Sequence, residues 1–521
     1  MGDAELGSKL AWLREPGRSE LIRNGLRGIE KECLRVDEDG HLSLRPHPAA
    51  LGAALTHPYI TTDYSEALLE FVTPPFANNW ELLQSLCDIH CFVAQSLGDE
   101  LLWPQSMPCV VQPDQDVPIA YYGESNLGRM KTIYRRGLGH RYGRAMQAIA
   151  GVHFNYSLPA EFWTEFQADE QDPRPRTVFV SDHYLRLARN YRRHAWALIY
   201  LFGTSPALCK SFPLRPGHGL ETFDSSTWYL PYGTSLRMSD IGYRNKNQAR
   251  LQISLNSLDD YVAGLRAAVT APNPEYERIG VKVDGEYRQL NANVLQIENE
   301  YYTAVRPKPR ANSSLRPVAG LRSGGVDYIE IRTLDLNVAD PVGVNQAQLR
   351  FVEALLLYCL FADSPPILEE EQTEIDAREL LVAREGRREG LELPIHGKLV
   401  SLQQLGLELI EGVVEIAAML DAGNEDYREA VEQQRHAFED PAATPSARVI
   451  AEMSEREQGF FEFTLEIARA HREYFRALPL EPTQLENFRQ LAQRSIQEAE
   501  VLENSPQPDF DEFLASYLAG I

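Results

Sequence analysis

The sequence predicts an α+β fold, in which strands and helices are mixed up to about Pro341 and helices dominate afterwards. Three observations predict it. Four strand-like segments alternate polar and apolar side chains, long apolar patterns with helical spacing lie between and after them, and charged amphipathic segments fill the last third of the chain. The alternation indicates a sheet with one apolar face and one polar face, which can line a cavity.

The first strand-like segment is GIEKECLRV, residues 28–36. Side chains alternate across a strand, so Glu30 and Glu32 share one face while Ile29 and Cys33 pack behind the sheet. Two like charges at this spacing need water or a cation between them, and a hard divalent ion such as Mg²⁺ prefers oxygen ligands. The alternative interpretation is an edge strand with a solvated charged face.

The second such segment covers residues 62–75 and ends at Pro74. Asp63 lies at a turn, and Glu70 falls between Leu69 and Phe71. A carboxylate inside an apolar strand is the kind of residue that a functional site uses, so Glu70 joins the candidate set.

Two later segments complete the pattern. His153 and Asn155 share a face of segment 151–157, and Glu330 and Arg332 share a face of segment 327–334. A lone strand histidine is more often structural than a metal ligand, but several accompanying carboxylates reverse that expectation.

Six segments, in this order, resemble blocks of the glutamate-cysteine ligases of the proteobacterial type, which form γ-glutamylcysteine from ATP, glutamate and cysteine. The resemblance is dense from Leu10 to Ala362 and weaker beyond, which predicts a catalytic region over residues 1–362 and a mostly helical region over 363–521 packed on it. The segments are GIEKECLRV, ITTDYSEALLEFVTP, GVHFNYSLP, SLRMSDIGY, VLQIENEYY and YIEIRTLD.

The resemblance implies a curved antiparallel sheet related to the catalytic domain of glutamine synthetase, with helices outside it. It also implies a cluster of divalent ions that holds the ATP phosphates and the glutamate side chain. Magnesium is the expected metal, and a histidine ligand leaves room for manganese at one position. The residues that match the family's metal ligands are Glu30, Glu32, Asp63, Glu70, His153 and Glu330.

Two arginines match the family's catalytic positions. Arg332 would bind ATP and stabilise charge on the transferring phosphoryl group, and Arg237 would hold an α-carboxylate. The implied reaction passes through γ-glutamyl phosphate, which the amine of cysteine then attacks, so that no cysteine of the enzyme is required.

A further set of positions matches the family's substrate contacts: Tyr64, Tyr134, Leu138, Gln147, Ile149, Arg237, Tyr243 and Tyr302. Tyr64 departs from the phenylalanine of the relatives, and its added hydroxyl leaves the choice between cysteine and another small acceptor open. Two alternatives therefore stand beside a glutamate-cysteine ligase: a related ligase that joins glutamate to a different amine, and a catalytically silent paralogue.

Two polar, cationic segments without an apolar period, residues 242–250 and residues 306–317, are predicted to be surface loops. They are either mobile lids over the site or simply solvated connections. Neither contains a Walker-type phosphate loop or a dinucleotide fingerprint. ATP is therefore expected from the family resemblance alone.

Composition bounds the remaining function classes. The formal net charge of -24 and the pI of about 5.0 argue against a nucleic-acid partner. The first residues lack the order of a secretory signal, and the apolar stretch 195–203 is too short to span a membrane. The sequence predicts a cytoplasmic monomer that binds glutamate, cysteine and ATP.

Two helices can be placed in advance. Ser181 or Asp182 can cap a helix that ends at Gly203, and an apolar helix is expected from Val344 to Ala362. The segments after Glu369 are expected to be surface helices.

Overall fold

The computed structural model describes residues 4–109, 111, 114–242, 251–310 and 316–520. It confirms the predicted α+β class. Within these ranges, none of the helices combines the length and apolar character needed to cross a lipid bilayer.

The strands are short except for those that build the central sheet. In chain order they are β1 (Leu26–Val36), β2 (Ile60–Thr62), β3 (Leu68–Val72), β4 (Leu101–Leu102), β5 (Val152–Ser157), β6 (Ala207–Cys209), β7 (Glu221–Thr222), β8 (Thr227–Tyr229), β9 (Lys282–Val283), β10 (Glu286–Tyr287), β11 (Val305–Lys308), β12 (Tyr328–Leu334), β13 (Glu392–Ile395) and β14 (Lys398–Ser401).

The helices surround the sheet and make up most of the last third of the chain. They are α1 (Ala4–Leu13), α2 (Arg18–Arg23), α3 (Asn79–Ser96), α4 (Asn126–Tyr142), α5 (Ala160–Asp169), α6 (Arg176–Phe202), α7 (Leu258–Thr270), α8 (Pro274–Ile279), α9 (Pro317–Gly324), α10 (Gln346–Phe361), α11 (Glu369–Glu385), α12 (Leu402–Leu420), α13 (Asp426–Glu439), α14 (Pro445–Glu455), α15 (Phe460–Ala477), α16 (Pro482–Asn504) and α17 (Phe510–Ala519).

The central sheet has the strand order β11-β12-β5-β1-β3-β2, with β4 also paired to β1. Every pair in it is antiparallel, as the resemblance implies. All four strand-like segments found in the sequence belong to this sheet, as β1, β3, β5 and β12.

One face of the sheet is mostly apolar and is covered by helices, although it also carries the buried cations Arg27, Lys31 and Arg35. Ile29, Leu69, Phe71, Phe154 and Ile331 have no exposed surface, and helices α3 and α6 pack over the sheet. Burial of each such side chain stabilises the fold by about 1.5–3 kcal/mol. The opposite face is thereby left to the polar side chains that alternate with these residues.

The predicted helix ending at Gly203 exists, but its predicted start is wrong. Helix α6 begins at Arg176, directly after Pro175, rather than at Ser181 or Asp182. The Ser181 hydroxyl donates to the Thr177 carbonyl inside the helix at 2.6 Å, so Ser181 satisfies its hydrogen bond without capping an end.

The predicted helix over 344–362 is α10, and a capping box formed by Asn345 and Gln348 fixes its start. Helices α12 and α13 pack on α10, so the apolar core continues from the catalytic region into the C-terminal region. The division at residue 362 stays a prediction. One hairpin, β13–β14, interrupts the expected run of helices.

The two predicted lids have different outcomes. In the segment 242–250, all residues after Gly242 lie outside the described residues. In the segment 306–317, residues 306–308 belong to β11 instead of a loop, 311–315 lie outside the described residues, and Pro317 begins α9. Pro307 is compatible with a strand here because β11 is at the edge of the sheet.

A buried ion pair ties the sheet to the helices. Arg27 Nε donates to Glu353 Oε2 at 2.9 Å, and Arg27 Nη2 also contacts Glu353 Oε1. The Tyr427 hydroxyl donates to the same Glu353 Oε2 at 2.7 Å. The two charged side chains are at most 2% exposed, so each depends on the other for its charge compensation.

Replacing Glu353 with Leu is therefore expected to lower the free energy of unfolding by about 3–5 kcal/mol, because the charge of Arg27 would stay buried without an opposite charge beside it. Urea unfolding followed by tryptophan fluorescence measures this. The matched control is Asp426→Asn, which breaks the more exposed Arg350–Asp426 pair between α10 and α13 and should cost less than about 1 kcal/mol. Equal losses in both variants would contradict this account.

Candidate active site

The sheet register brings the predicted carboxylates and the histidine together. Glu30 lies opposite His153 on β5, and Glu32 lies opposite Glu70 on β3. Glu30, Glu70 and His153 each offer one ligand atom, and these three atoms lie within 4.8 Å of one another. Residues from positions 30, 70 and 153 thus form a single group on the polar face.

Two further carboxylates surround His153. Its Nε2 lies 3.8 Å from Glu32 Oε1, and its Nδ1 lies 3.8 Å from Glu330 Oε1. Asp63 lies in the turn after β2, and its charge raises the pKa of both Glu32 and Glu70. All six predicted metal ligands therefore belong to one neighbourhood.

Burial and mutual repulsion act on these carboxylates. Burial and then the charge of Asp63 raise the pKa of Glu32 to about 8. Burial, followed by the charges of Glu30, Asp63 and Glu32, holds the pKa of Glu70 well above its usual value. A site that binds a cation has this electrostatic character when the cation is absent.

Glu330 behaves in the opposite way. Burial alone would raise its pKa, but Lys308, Arg332 and Arg306 outweigh burial and hold the pKa well below its usual value. Lys308 Nζ lies 3.1 Å, and Arg332 Nη1 3.2 Å, from Glu330 Oε1, and Arg306 Nη1 lies 3.7 Å from Glu330 Oε2. Three cations thus meet at one end of the cluster.

The His153 ring is arranged as a neutral ligand. Its Nδ1 lies 3.1 Å from Glu30 Oε2, which fixes Nδ1 as the protonated nitrogen. Burial, followed by the charge of Arg332, lowers the His153 pKa. Nε2 is buried and has no hydrogen-bond partner among the described residues, so its lone pair is available.

Sequence reasoning missed three site residues. Asn155 donates to Glu30 Oε1 at 3.0 Å, and Arg306 and Lys308 lie on the same strand face of β11. In the sequence, Asn155 stands out only through the alternation of polar and apolar residues in segment 151–157. The available signal for Arg306 and Lys308 is their spacing of two, which puts both on one face of a strand that pairs with the strand of Glu330. Pro307 and Pro309 hide this signal, because prolines are typical of loops.

Arg237 is buried beside the predicted metal ligands, close enough for its charge to lower the pKa of Glu32. Its Nη2 donates to the Arg332 carbonyl at 3.0 Å, and a Cβ on Gly151 would lie 2.1 Å from the same nitrogen. Gly151 also donates its N–H to Glu32 Oε2 at 2.7 Å. The absence of a side chain at Gly151 thus lets the guanidinium approach the strand that carries His153.

A cavity of about 420 Å³ adjoins this position. Arg237, Arg332 and Tyr302 line its polar side, and Leu251 and Tyr261 are among its apolar walls. A partly apolar cavity with a few convergent polar groups is the usual form of a small-molecule site.

The other predicted substrate contacts lie around the same end of the sheet but differ in burial. Tyr302 donates its hydroxyl to Gln147 Oε1 at 2.9 Å. Tyr134 and Leu138 lie four residues apart on α4, so they share a helix face. Ile149 has no exposed surface and Tyr64 is 1% exposed. Tyr243 lies outside the described residues, and substrate contact by each residue stays a prediction.

Comparisons with known proteins agree on one family. A family model described as glutamate-cysteine ligase matches residues 10–382. A glutamate-cysteine ligase of Pseudomonas paraeruginosa is 47% identical over 99% of this chain and 98% of its own, and one of Alcanivorax borkumensis is 48% identical over 94% and 95%.

Solved structures give the same picture. A glutamate-cysteine ligase of Francisella tularensis, crystallised in complex with AMP, is similar with a TM-score of 0.90 and 34% identity, over 95% of this chain and 98% of that one. A bifunctional glutathione synthetase of Pasteurella multocida is similar with a TM-score of 0.69 and 25% identity, over 89% of this chain and 55% of that one.

Proposed function

This chain belongs to the glutamate-cysteine ligase family, and we propose that its carboxylate cluster and arginines carry out the family's reaction. It is an ATP-dependent ligase that joins the γ-carboxylate of glutamate to the amine of cysteine, the first step of glutathione biosynthesis. One observation carries the assignment of the site: Glu30, Glu70 and His153 bring three ligand atoms within 4.8 Å of one another.

The donor set fits divalent metal ions. Several carboxylates converge with pKa values raised by burial and repulsion, and His153 Nε2 has no hydrogen-bond partner in the described part of the chain. The proposed metal is Mg²⁺, with Mn²⁺ as an option beside the histidine. When bound, such ions neutralise phosphate charge and polarise the phosphoryl oxygens. The proposed ligands are Glu30, Glu32, Asp63, Glu70, His153 and Glu330.

The cations at Glu330 suit the phosphates of ATP. Arg332 is partly exposed at the cavity wall, and Lys308 lies on the neighbouring strand. We assign to Arg332 the stabilisation of the charge that develops on the transferring phosphoryl group. Arg306 and Lys308 would hold the remaining phosphate oxygens, because they lie on the same face.

The amino-acid substrates fit the cavity beside Arg237. Its guanidinium offers a planar, permanently charged fork for an α-carboxylate, and Tyr302 shares the same wall. The cavity also adjoins Arg332, so a glutamate bound here would have its γ-carboxylate near the phosphoryl group.

The reaction then has two steps. The γ-carboxylate of glutamate attacks the terminal phosphorus of ATP, the bond to the bridging oxygen breaks, and γ-glutamyl phosphate and ADP form. The amine of cysteine next attacks the acyl carbon, and phosphate leaves while the amine loses a proton. The chain's contribution is positioning and electrostatic stabilisation, since no protein side chain forms a covalent bond.

The decisive experiment measures ADP release by the purified protein with ATP, Mg²⁺ and glutamate, with cysteine compared against other small amino acids and amines. Mass spectrometry identifies the product. Cysteine-dependent formation of γ-glutamylcysteine is expected. Turnover only with another acceptor would move the protein to a related ligase, and ATP binding without turnover would indicate a silent paralogue.

Tyr64 is expected to leave acceptor choice unchanged. Its buried hydroxyl has no hydrogen-bond partner within the ranges that the structure describes, and it occupies the space beside Gly139, where a Cβ would lie 2.5 Å from it. The hydroxyl therefore lies against α4, and only the ring is left to face an acceptor.

Tyr64→Phe should accordingly change the ratio of kcat/KM for cysteine and 2-aminobutyrate by less than about threefold, since no polar contact to the acceptor is lost. Steady-state kinetics with both acceptors measures this ratio. A change of more than about tenfold would place the hydroxyl in the acceptor pocket.

The remaining assignments follow from the family and the sequence. We propose that the protein works in the cytoplasm, where ATP, glutamate and reduced cysteine are available, and that it is a monomer. Size-exclusion chromatography with light scattering tests the second statement against the chain mass of 58.9 kDa.

A further inference from the structure

Glu300 lies outside the set of residues assigned to metal, ATP or substrate. It nevertheless joins two parts of the chain that carry predicted substrate contacts, Tyr302 on one side and Tyr134 and Leu138 on the other, which we take as the walls of the pocket for the acceptor amine. From its contacts we propose that Glu300 is a positioning residue, which fixes the segment carrying Tyr302 against helix α4, which carries Tyr134 and Leu138. This inference rests on the proposed function, because those residues are acceptor contacts only if the protein is a glutamate-cysteine ligase.

Glu300 is held to the end of α4 by two contacts. Its Oε1 accepts from Arg141 Nη1 at 2.8 Å and from the Tyr142 hydroxyl at 2.7 Å. The Arg141 and Glu300 side chains have no exposed surface. Charge-assisted hydrogen bonds in such surroundings are strong and have narrow geometry.

The other oxygen of Glu300 orders its own segment. Oε2 accepts from the Gln296 backbone N–H at 2.7 Å, and Gln296 Nε2 donates to the Tyr134 carbonyl at 3.2 Å. The approach to α4 is close: a Cβ on Gly137 would lie 2.2 Å from Gln296 Oε1. The segment and the helix therefore touch at Gly137 as well as at the ion pair.

Arg141 completes the connection from the helix side. Its Nε donates to Gln289 Oε1 at 2.9 Å, and its Nη2 donates to the Asn291 carbonyl at 2.8 Å. The guanidinium also lies 4.1 Å from the centre of the Tyr276 ring. Arg141 thus anchors both ends of the segment 289–300 to the last turn of α4.

Loss of the Glu300 contacts should weaken the binding of the acceptor amine and should leave the phosphoryl transfer unchanged. Tyr302 follows Glu300 by two residues and reaches Gln147 through its hydroxyl. If Glu300 no longer holds the segment, Tyr302 and the α4 side chains lose their relative position, while the carboxylate cluster on the sheet keeps its own register. Small displacements of this kind weaken binding and orientation of the affected substrate.

The test is Glu300→Gln, which keeps the side-chain shape but removes the charge that holds Arg141. Steady-state kinetics should show a KM for cysteine raised about tenfold, with KM for ATP and KM for glutamate within about twofold of the parent chain. The split between acceptor and ATP separates positioning from a general loss of structure.

The matched control is Glu298→Gln. Glu298 lies in the same short helical turn and is equally buried, but it pairs with Arg316 instead of α4. It should leave the KM for cysteine within about twofold. A similar rise in both variants, or no rise in Glu300→Gln, would overturn the proposal.

Failure of the proposed function would look different. In that case the parent chain itself would form no γ-glutamylcysteine. No KM for cysteine could then be measured for the parent chain, for Glu298→Gln or for Glu300→Gln. Thermal melting of both variants shows whether each is folded at the assay temperature, so that an unfolded variant is not counted as a kinetic result.

Discussion

Replacing Glu70 with Gln is expected to reduce turnover by about a thousandfold or more while the protein remains folded. Glu70 offers one of three potential ligand atoms that lie close together, and Glu30 and His153 offer the other two. Removing its charge weakens metal binding and leaves the phosphates of ATP close to other carboxylates. The measurement is ADP release with saturating glutamate, cysteine and Mg²⁺.

Stability distinguishes this catalytic loss from unfolding. Burial and the neighbouring carboxylates raise the pKa of Glu70, so a charged Glu70 opposes the metal-free fold. Glu70→Gln should therefore melt no lower than the parent chain in the presence of a chelator, and its melting temperature should rise less on addition of Mg²⁺.

The matched control for Glu70→Gln is Glu392→Gln, a change at an exposed glutamate on strand β13. It should alter neither turnover nor the response to Mg²⁺. A folded Glu70→Gln variant with nearly full activity would remove Glu70 from the metal site.

Arg332→Gln is expected to lower kcat by about two to three orders of magnitude. Its guanidinium lies at the cavity wall, 3.2 Å from Glu330, which is where the proposed function places the transferring phosphoryl group. Arg332→Lys should recover only part of the loss, because an ammonium lacks the planar fork that binds two phosphate oxygens.

Rapid-quench measurement of ADP formation, with ATP in excess, isolates the phosphoryl step in the Arg332 variants. Arg322→Gln, at an exposed arginine of α9, serves as the control and should keep the parent rate. If Arg332→Gln instead raised KM for ATP with an unchanged kcat, Arg332 would bind ATP equally well in the ground state and in the transition state, and would not stabilise the transition state selectively.

Four strands of the sheet, β1, β3, β5 and β12, are predictable from the sequence because a period of two is visible along each of them. Glu30 and Glu32, and likewise Glu330 and Arg332, were placed on one face from spacing alone, and the register confirms a common polar face. Which strands are neighbours was not readable from spacing, since pairing depends on contacts far apart in the chain. The family resemblance supplied the grouping.

Local signals failed where another contact replaced them. Ser181 has the character of a cap but bonds to Thr177 within α6. Pro307 has the character of a loop residue but lies on an edge strand, where no second neighbour needs its missing N–H. The Glu300–Arg141 pair joins residues 159 positions apart, and no local sequence pattern predicts a contact over that separation.

In the central sheet, the site residues from the first part of the chain and those from the later part meet at the pairing of β5 with β12. Before residue 160 lie His153 and four of the proposed carboxylate ligands. After residue 230 lie the two arginines proposed to be catalytic and the cations of β11. A cut in the turn between α5 and α6 would therefore leave one fragment rich in metal ligands and another rich in phosphate-binding groups. Neither half holds a complete site, so ligase activity would report reassembly of the two fragments, which the central sheet joins through β5 and β12 and which helix contacts and the Arg27–Glu353 pair also hold together.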